Sequence, residues 1–396
     1  MTQLVIGPYT ATSAAGVGLA ALHASIAERR SGVRRNDLPG CDLDTWIGRV
    51  DGVESVSLPA GLEHLHSRNN QLAWLGLQQD GLLEFIEQLK DRVDAKRIAV
   101  IMGTSTSSIG RTEQAYRHLL PAGEIPDEFR QPQVHTLHSP GIFVAAATGL
   151  MGPSMTISTA CSSSAKVFAS AARWIALGIA DAVLVGGVDS LCLSILYGFN
   201  SLELVSGAPC RPFDRRRDGI NIGEACAYAI VARPAVLPEA QLTLAGYGES
   251  VDAYHMAHPH PEGKGAALAI ERALERAALP AAAIGYVNLH GTATPANDRI
   301  ESSVLARLFA PDVSASSSKG WTGHTLGAAG ILESVITFEA MMRGLVPGTL
   351  NCDDPDPALA FPITTDNQAR DLRYAMCNSF GFGGNNAALV FGRIDA

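Results

Sequence analysis

Cys161 has the sequence setting that points most directly to covalent chemistry. It lies in Ser158-Thr159-Ala160-Cys161-Ser162-Ser163-Ser164, between an apolar run at 155–157 that is typical of a strand and a run at 165–177 with helical spacing. A thiol at a strand-to-helix turn faces the unpaired N–H groups and the positive dipole end of the helix, which favour the thiolate. The segment therefore indicates a nucleophile, against the alternative that a free cysteine is simply a small core residue.

Two histidines stand in turns of small residues that could bring them to such a thiol. His290 follows a strand-like run in Asn288-Leu289-His290-Gly291-Thr292, and His324 precedes a helix-like run in Gly323-His324-Thr325. Side chains at the carboxyl ends of strands are where α/β sheets place function. A lone histidine is more often structural, but two beside a cysteine turn suggest acid–base or electrostatic roles.

A glycine-rich turn, Asn378-Ser379-Phe380-Gly381-Phe382-Gly383-Gly384, lies near the C-terminus. Glycines let backbone N–H groups approach a reacting atom closely, as an oxyanion hole requires. The alternative is a tight turn between two strands. The segment has neither the dinucleotide nor the Walker phosphate pattern.

Three closely spaced histidines in Tyr254-His255-Met256-Ala257-His258-Pro259-His260 are candidate metal ligands. They share no helical face with an acidic partner, and the prolines make this segment a loop. We therefore expect no metal site.

Composition excludes several classes of function. The chain has 396 residues and a net charge of −9, with 17% charged and 47% hydrophobic residues, which suits a globular protein and disfavours nucleic acid as a partner. No apolar run reaches the length of a membrane span, and no basic, apolar leader opens the sequence. The seven scattered cysteines suit reduced thiols, so we expect a cytoplasmic protein.

Strand-like and helix-like runs alternate along the chain in two similar series. Strands are predicted at 4–6, 98–102, 155–158 and 182–185, with helices at 16–29, 71–89, 142–150 and 164–177. The second series has strands at 227–231, 242–247, 286–289, 374–378 and 387–391, with helices at 265–278, 299–309 and 328–342. Prolines 234 and 238 mark the junction. We therefore predict two packed α/β halves, residues 1–235 with the cysteine and 236–396 with the two histidines.

These motifs, taken in order, resemble the beta-ketoacyl-acyl carrier protein synthases, the decarboxylating condensing enzymes of the thiolase-like superfamily. The resemblance spans essentially the whole chain. It rests on the cysteine segment, Arg211-Pro212-Phe213-Asp214, His290-Gly291-Thr292, Lys319 with Gly323-His324-Thr325, and the glycine-rich turn. It implies a thiolase-like fold of two similar α/β halves in αβαβα layers.

The resemblance also implies roles for individual residues. Cys161 would carry the acyl chain as a thioester, while His290 and His324 would assist decarboxylation of the malonyl thioester. Lys319 would tune the site through Glu333, and the N–H groups of Cys161 and Phe382 would form the oxyanion hole. The substrate-binding residues it implies are Thr292, Thr294, Phe382 as a gate to the acyl pocket, Thr106 and Ile220.

Departures from the family pattern bear on the substrate. Ile220 stands where housekeeping synthases usually carry phenylalanine, and we place Trp321 and residues 104–108 near the expected acyl pocket. These changes suggest a specialised pathway, such as assembly of aryl polyenes or polyketide-like chains, instead of ordinary saturated fatty acids.

The resemblance implies an acyl carrier protein as partner and a dimer, either a homodimer or a heterodimer with a related ketosynthase-like chain. No cofactor is expected, since the substrates ride on the phosphopantetheine of the carrier protein. Two alternatives stay open: a pocket-shaping subunit of a heterodimeric ketosynthase, and a coenzyme A thiolase. The intact cysteine and histidines favour the elongating synthase over the first, and the absence of a second catalytic cysteine argues against the second.

Overall fold

The computed structural model describes residues 4–394, and one twisted sheet dominates it. Its ten main strands are β1 (Leu4–Ser13), β2 (Ile98–Gly103), β3 (Ser154–Ile157), β4 (Ala182–Asp189), β5 (Ala225–Ala232), β6 (Leu242–Val251), β7 (Tyr286–Asn288), β8 (Ser314–Ser316), β9 (Tyr374–Gly381) and β10 (Asn385–Arg393). Short strands at Gly16–Val17, Arg34–Arg35, Trp46–Gly48, Ile222–Gly223, Leu345–Val346 and Gln368–Ala369 complete the β structure of these residues.

The α-helices of this region number eleven. They are α1 (Leu19–Ala27), α2 (Arg68–Leu77), α3 (Leu82–Arg92), α4 (Ile109–Arg117), α5 (Ser139–Thr148), α6 (Ser163–Ala176), α7 (Leu193–Ser201), α8 (Lys264–Ala277), α9 (Pro295–Leu308), α10 (Lys319–Thr322) and α11 (Ala329–Arg343). In the part of the chain from 4 to 394, no helix combines the length and apolarity needed to cross a bilayer.

The strand order repeats within the chain. The first five strands lie in the order β1-β5-β4-β2-β3 and the last five in the order β6-β10-β9-β7-β8, and β1 pairs with β6 to join the two sets. In each set, read in this order, two antiparallel pairings are followed by two parallel ones. The predicted doubled α/β architecture is confirmed. The division at residues 235 and 236 falls in the connection between the sets and stays a prediction.

Strands covered on both faces explain the predicted runs of apolar residues. Along β2, Ala99 and Ile101 face a central core that contains α6 and α11, while Ile98, Val100 and Met102 face an outer core with α2, α3 and α5. The second set divides in the same way, with α8 and α9 covering its outer face. The result is helix, sheet, helix, sheet, helix, as the thiolase-like resemblance implied.

The single helix predicted at 71–89 is wrong, because the chain breaks between α2 and α3. Asp80 and Gly81 both have positive φ, at 54° and 71°, a conformation that ends an α-helix. The Asp80 carboxylate accepts a hydrogen bond from the Thr10 hydroxyl at 2.6 Å and from the Leu19 N–H at 3.0 Å. These tertiary contacts stabilise the break, and apolar periodicity could not reveal them.

Close packing of α11 on α6 depends on Gly330. A Cβ built there would lie 2.4 Å from the backbone nitrogen of Ala165. Gly330→Val should therefore force the helices apart and destabilise the fold by about 1–3 kcal/mol, the usual range for overpacking a core. Thermal unfolding measures the change. Gly198→Ala is the matched control, since no atom lies within 4 Å of a Cβ at that position. Equal melting temperatures for Gly330→Val and wild type would contradict this account of the packing.

Candidate active site

Cys161 lies in the turn between β3 and α6, as the sequence predicted. Its side chain is buried, and the preceding Ala160 has a φ of 53°, a left-handed conformation unusual for alanine. The Ser163 hydroxyl accepts a hydrogen bond from the Thr159 N–H at 2.9 Å and donates one to the Ala160 carbonyl at 2.5 Å. The serines after the cysteine therefore hold the turn in a strained shape that presents the thiol at the start of α6.

His324 reaches Cys161 from the other half of the chain. Its Nε2 lies 2.9 Å from the cysteine Sγ. The His324 N–H donates to the Asn221 carbonyl at 2.7 Å, and the His324 carbonyl accepts from the Gly223 N–H at 3.0 Å. The imidazole is therefore positioned through its backbone.

His290 completes the group at the end of β7. Its ring centroid lies 5.5 Å from that of His324, nearly perpendicular to it. The Glu301 carboxylate accepts hydrogen bonds from the N–H groups of His290 and Gly291, both at 2.8 Å. The donor atoms of Cys161, His290 and His324 all lie within 4.8 Å of one another, so three residues predicted separately meet at one point.

Lys319 and Glu333 form a buried ion pair behind the histidines. The Lys319 ammonium donates both to the Glu333 carboxylate and to the His290 carbonyl. Burial raises the pKa of Glu333, and the Lys319 charge opposes that rise. Lys319 thus connects to the site through the backbone of His290, with Glu333 balancing its charge.

Burial keeps the Cys161 thiol and the imidazoles of His290 and His324 uncharged at neutral pH. It raises the pKa of the Cys161 thiol to about 11, although Lys319 and the Phe382 N–H act in the opposite direction. Burial and the Lys319 charge also hold the pKa values of both imidazoles well below their ordinary range. The expectation that the helix N-terminus favours a thiolate is therefore outweighed by burial, and the resting pair is a thiol beside a neutral imidazole.

Neither imidazole has a carboxylate on its second nitrogen. Nδ1 of His290 and Nδ1 of His324 are buried and without a hydrogen-bond partner among residues 4–394. This arrangement differs from a Ser-His-Asp triad, in which the acid sets the tautomer. Here either tautomer can meet the needs of a bound substrate.

A cavity of about 290 Å³ opens onto the three residues. Its wall includes the predicted substrate-binding residues Thr292, Thr294, Ile220 and Phe382. The hydroxyls of Thr292 and Thr294 lie 2.9 Å apart, so they offer a paired polar contact in a mostly apolar wall.

Two residues expected near the acyl pocket do not line this cavity. The Thr106 N–H and hydroxyl both donate to the buried Asp189 carboxylate at 3.0 Å, so its substrate-binding role stays a prediction. Trp321 is fully buried in the central core and donates to the Ser25 carbonyl at 3.2 Å. Its predicted place near the pocket is wrong, because its ring fills space beneath α1.

Sequence reasoning missed part of the cavity wall. Phe199, Leu202 and Leu204, at and after the end of α7, line the cavity, and the Phe199 ring centroid lies 5.6 Å from that of Phe382. Glu301 and Asp189 were missed as well. Nothing local in the sequence marks α7 as part of the site. An acidic residue within an otherwise apolar segment, as in Val185-Gly186-Gly187-Val188-Asp189, is the one signal that could have drawn attention to Asp189.

The histidine-rich loop lies at the mouth of the cavity. His258 lines the opening, and its Nδ1 lies 2.9 Å from Nδ1 of His255. Across the described ranges, one group of three His, Cys, Asp or Glu side chains is close enough together to share a metal ion. It consists of Cys161, His290 and His324. The expectation of no metal site stays a prediction.

The chain is similar to known proteins along most of its length. Two family models match it, "Beta-ketoacyl synthase, N-terminal domain" at residues 71–235 and "Beta-ketoacyl synthase, C-terminal domain" at residues 242–353. A 3-oxoacyl-(acyl-carrier-protein) synthase 2 from Vibrio harveyi is 34% identical over 398 residues, covering 88% of this chain and 94% of the relative. A mitochondrial 3-oxoacyl-(acyl-carrier-protein) synthase from Arabidopsis thaliana is 36% identical over 72% of this chain and 68% of its own length.

Solved structures agree with these relatives. A ketosynthase in complex with its chain length factor from Xenorhabdus doucetiae has a TM-score of 0.88 and 36% identity, covering 99% of this chain and 98% of that one. A beta-ketoacyl synthase from Burkholderia phymatum has a TM-score of 0.87 and 30% identity over the full length of both chains. With the cysteine and two histidines gathered in one cavity, these matches show that the chain belongs to the beta-ketoacyl synthase family.

Proposed function

We propose that this protein condenses an acyl chain, held as a thioester on Cys161, with malonyl-acyl carrier protein to give a beta-ketoacyl-acyl carrier protein. The observation that carries the proposal is the 2.9 Å contact between Cys161 Sγ and His324 Nε2, with His290 beside them at the base of the cavity. Family membership supports the reaction class.

In the first half-reaction, Cys161 exchanges thioesters with the acyl carrier protein. The thiol passes its proton to His324 Nε2 as the sulfur attacks, a new C–S bond forms, and the carrier thiol leaves with the proton. Because burial disfavours both the thiolate and the imidazolium, proton transfer and attack must be closely coupled. The N–H groups of Cys161 and Phe382 would stabilise the oxyanion.

In the second half-reaction, the malonyl thioester loses CO₂ and its α-carbon attacks the acyl group. The breaking C–C bond leaves its electron pair as an enolate, whose oxygen accepts hydrogen bonds from N–H groups of His290 and His324. For this step the His324 proton must lie on Nε2, a tautomer that its unpartnered Nδ1 allows. The enolate carbon then forms the new C–C bond, and the Cys161 sulfur leaves as a thiolate that takes up a proton from solvent, which restores the resting thiol. Neutral imidazoles suit this role because they donate hydrogen bonds without first giving up a proton. Lys319 and Glu333 act as positioning residues through the His290 backbone.

Thr292 and Thr294 are proposed to hold the phosphopantetheine arm, since they pair along the cavity wall. No further cofactor is proposed.

The carrier protein is the expected partner. A second ketosynthase-like chain is expected as well, in a homodimer or in a heterodimer like the complex of the Xenorhabdus ketosynthase with its chain length factor. All seven cysteines are free, which supports action in the cytoplasm.

The substrate class is proposed to be specialised, with a rigid conjugated chain such as an aryl polyene. Ile220 lines the cavity beside the nucleophile where an aromatic residue is expected, which changes the shape of this wall.

The alternative of a pocket-shaping subunit is disfavoured because such a subunit has no use for the converged Cys161, His290 and His324. A thiolase is disfavoured because Cys161 is the one cysteine that lines this cavity.

Cys161→Ala should abolish condensation and acyl transfer, while His324→Ala should lower malonyl decarboxylation by about 10²–10⁴-fold, as expected for loss of a positioned acid–base group. Acyl transfer is read by intact-protein mass and decarboxylation by release of labelled CO₂. Wild-type protein that is inert alone but active with a related chain would favour the subunit alternative. Condensation by Cys161→Ala would exclude this cysteine as the nucleophile.

Alkylation of Cys161 by iodoacetamide should follow its raised pKa. Only the thiolate reacts, so between pH 7 and 9 the rate should rise about tenfold per pH unit without a plateau. A cysteine peptide, whose rate levels off near its ordinary pKa of about 8.5, is the reference. A plateau for Cys161 at or below pH 7 would contradict the neutral resting pair. Peptide mapping, with Cys161→Ala as control, assigns the modified residue.

Acyl preference tests the proposed substrate class. Acylation rates of Cys161 should be higher with aryl-enoyl carrier proteins than with saturated carrier proteins of matched length. Ile220→Phe should narrow the cavity and reduce that preference, whereas Leu202→Phe, on another part of the wall, serves as the control for added bulk. A clear preference of the wild type for saturated medium chains would overturn the substrate proposal and leave the reaction class standing.

A further inference from the structure

The loop beside the nucleophile carries the Phe382 ring and two adjacent glycines. Residues 381–385, here called the gate loop, connect β9 to β10, and Gly383 and Gly384 both have left-handed φ, at 74° and 71°. The Phe382 ring projects from this loop to the cavity wall, against Phe199. Because glycine adopts many backbone conformations at little cost in strain, a change at these two residues can swing the ring.

One side of the gate loop is attached to the exposed loop at the cavity mouth. The Gly383 N–H donates to the Met256 carbonyl at 2.7 Å, and the Gly384 carbonyl accepts from the Asp252 N–H at 2.9 Å. Met256 is 79% exposed. The Asp252 carboxylate in turn accepts from the Asn386 amide at 3.0 Å and from the His260 N–H at 2.9 Å. This side of the gate loop is therefore attached to an exposed segment that is anchored through Asp252.

The other side is attached to the nucleophile helix by a buried lysine. Lys166 lies on α6, five residues after Cys161, with 9% of its surface exposed. Its ammonium donates to Oδ1 of Asn385 at 3.0 Å. Within residues 4–394, that amide oxygen is the one hydrogen-bond acceptor of this ammonium, and no carboxylate lies within ion-pair distance.

The charges around Lys166 do not explain its burial. Glu249 and Arg173 are the charged groups that act on it, and they pair with each other at 2.5 Å. Burial lowers the pKa of Lys166. A buried cation without an ion pair reduces stability relative to an apolar side chain of similar size, so stability alone does not account for this residue.

We propose that the hydrogen bond between Lys166 and Asn385 is a latch that holds the gate loop against the nucleophile helix and so limits how readily long acyl chains reach Cys161. The inference rests on the proposed function and deepens it by naming two positioning residues; neither touches the reacting atoms. A cavity of about 290 Å³ that also holds the pantetheine arm leaves little room for a long chain unless Phe382 moves. An acetyl group needs no such movement.

The test measures acylation of Cys161 by intact-protein mass, using acetyl and dodecanoyl thioesters of N-acetylcysteamine. Lys166→Met keeps the apolar stem and removes the donor, and Asn385→Ala removes the acceptor. Each should raise the ratio of dodecanoyl to acetyl acylation by about threefold to tenfold, the range of equilibrium constants that one net hydrogen bond controls. The double variant should match the singles, because all three lack the same bond. Asn385→Asp, which converts the contact to an ion pair, should lower the ratio.

Lys264→Met is the control for loss of a lysine, since Lys264 is exposed at the start of α8 and pairs with Glu262 at 2.7 Å. Its ratio should stay at the wild-type value. A Lys166→Met ratio equal to wild type, or equal losses with both thioesters, would overturn the latch. A wild-type far-UV circular dichroism spectrum with a cooperative thermal transition verifies that each variant is folded. Wild-type protein that becomes acylated but yields no beta-ketoacyl product would refute the proposed condensation. The ratio of dodecanoyl to acetyl acylation would still test the latch in that case.

Discussion

The contact between Cys161 Sγ and His324 Nε2 is the interaction on which the rest of the site depends. It joins residues 163 positions apart, one from each set of five strands. The contact exists because α6 and α11 approach closely in the central layer, where Gly330 packs against Ala165. Gly103 and Gly187 also leave space for Ser164 at the start of α6. Small residues at these positions therefore serve the geometry of the nucleophile as much as the packing of the core.

Buried carboxylates hold the loops around this contact, and Asp189 also connects the two halves. Asp189 accepts hydrogen bonds from Thr104, Ser105 and Thr106 of the first half and from the Gly327 N–H of the second, at 2.6–3.0 Å. The Glu301 carboxylate holds the turn at His290 and Gly291 by accepting hydrogen bonds from both N–H groups. Burial raises its pKa to about 7, and the N–H groups of Gly291 and His290 oppose that rise. A buried acid with several donors holds loops rigidly, so the imidazoles are positioned before substrate arrives.

The electrostatics of the site follow from burial. Lys319 and Glu333 form an ion pair behind the histidines, in which the two opposite charges nearly balance each other. The thiol and both imidazoles are left neutral and ready to exchange a proton or donate to an oxyanion. Charge thus develops mainly during reaction, where the preorganised N–H groups stabilise it more than they stabilise the ground state.

The sequence by itself determined the kinds of elements, the doubling of the α/β pattern and the residues fit for chemistry. It could do so because strand and helix periodicity and short turns such as that around Cys161 are local properties of the chain. The resemblance of its motifs to a known family added the expected roles of Lys319, Glu333 and Phe382.

Only the tertiary structure decided the 2.9 Å sulfur–imidazole contact, the neutral state of the thiol, the break at Asp80 and Gly81, and the burial of Trp321 away from the cavity. It also brought Phe199 to the Phe382 ring and Lys166 to Asn385. Each of these depends on solvent exclusion and on contacts between residues far apart in the chain. Local periodicity carries no information about such contacts, because the same pattern of apolar residues is compatible with many ways of packing one element on another.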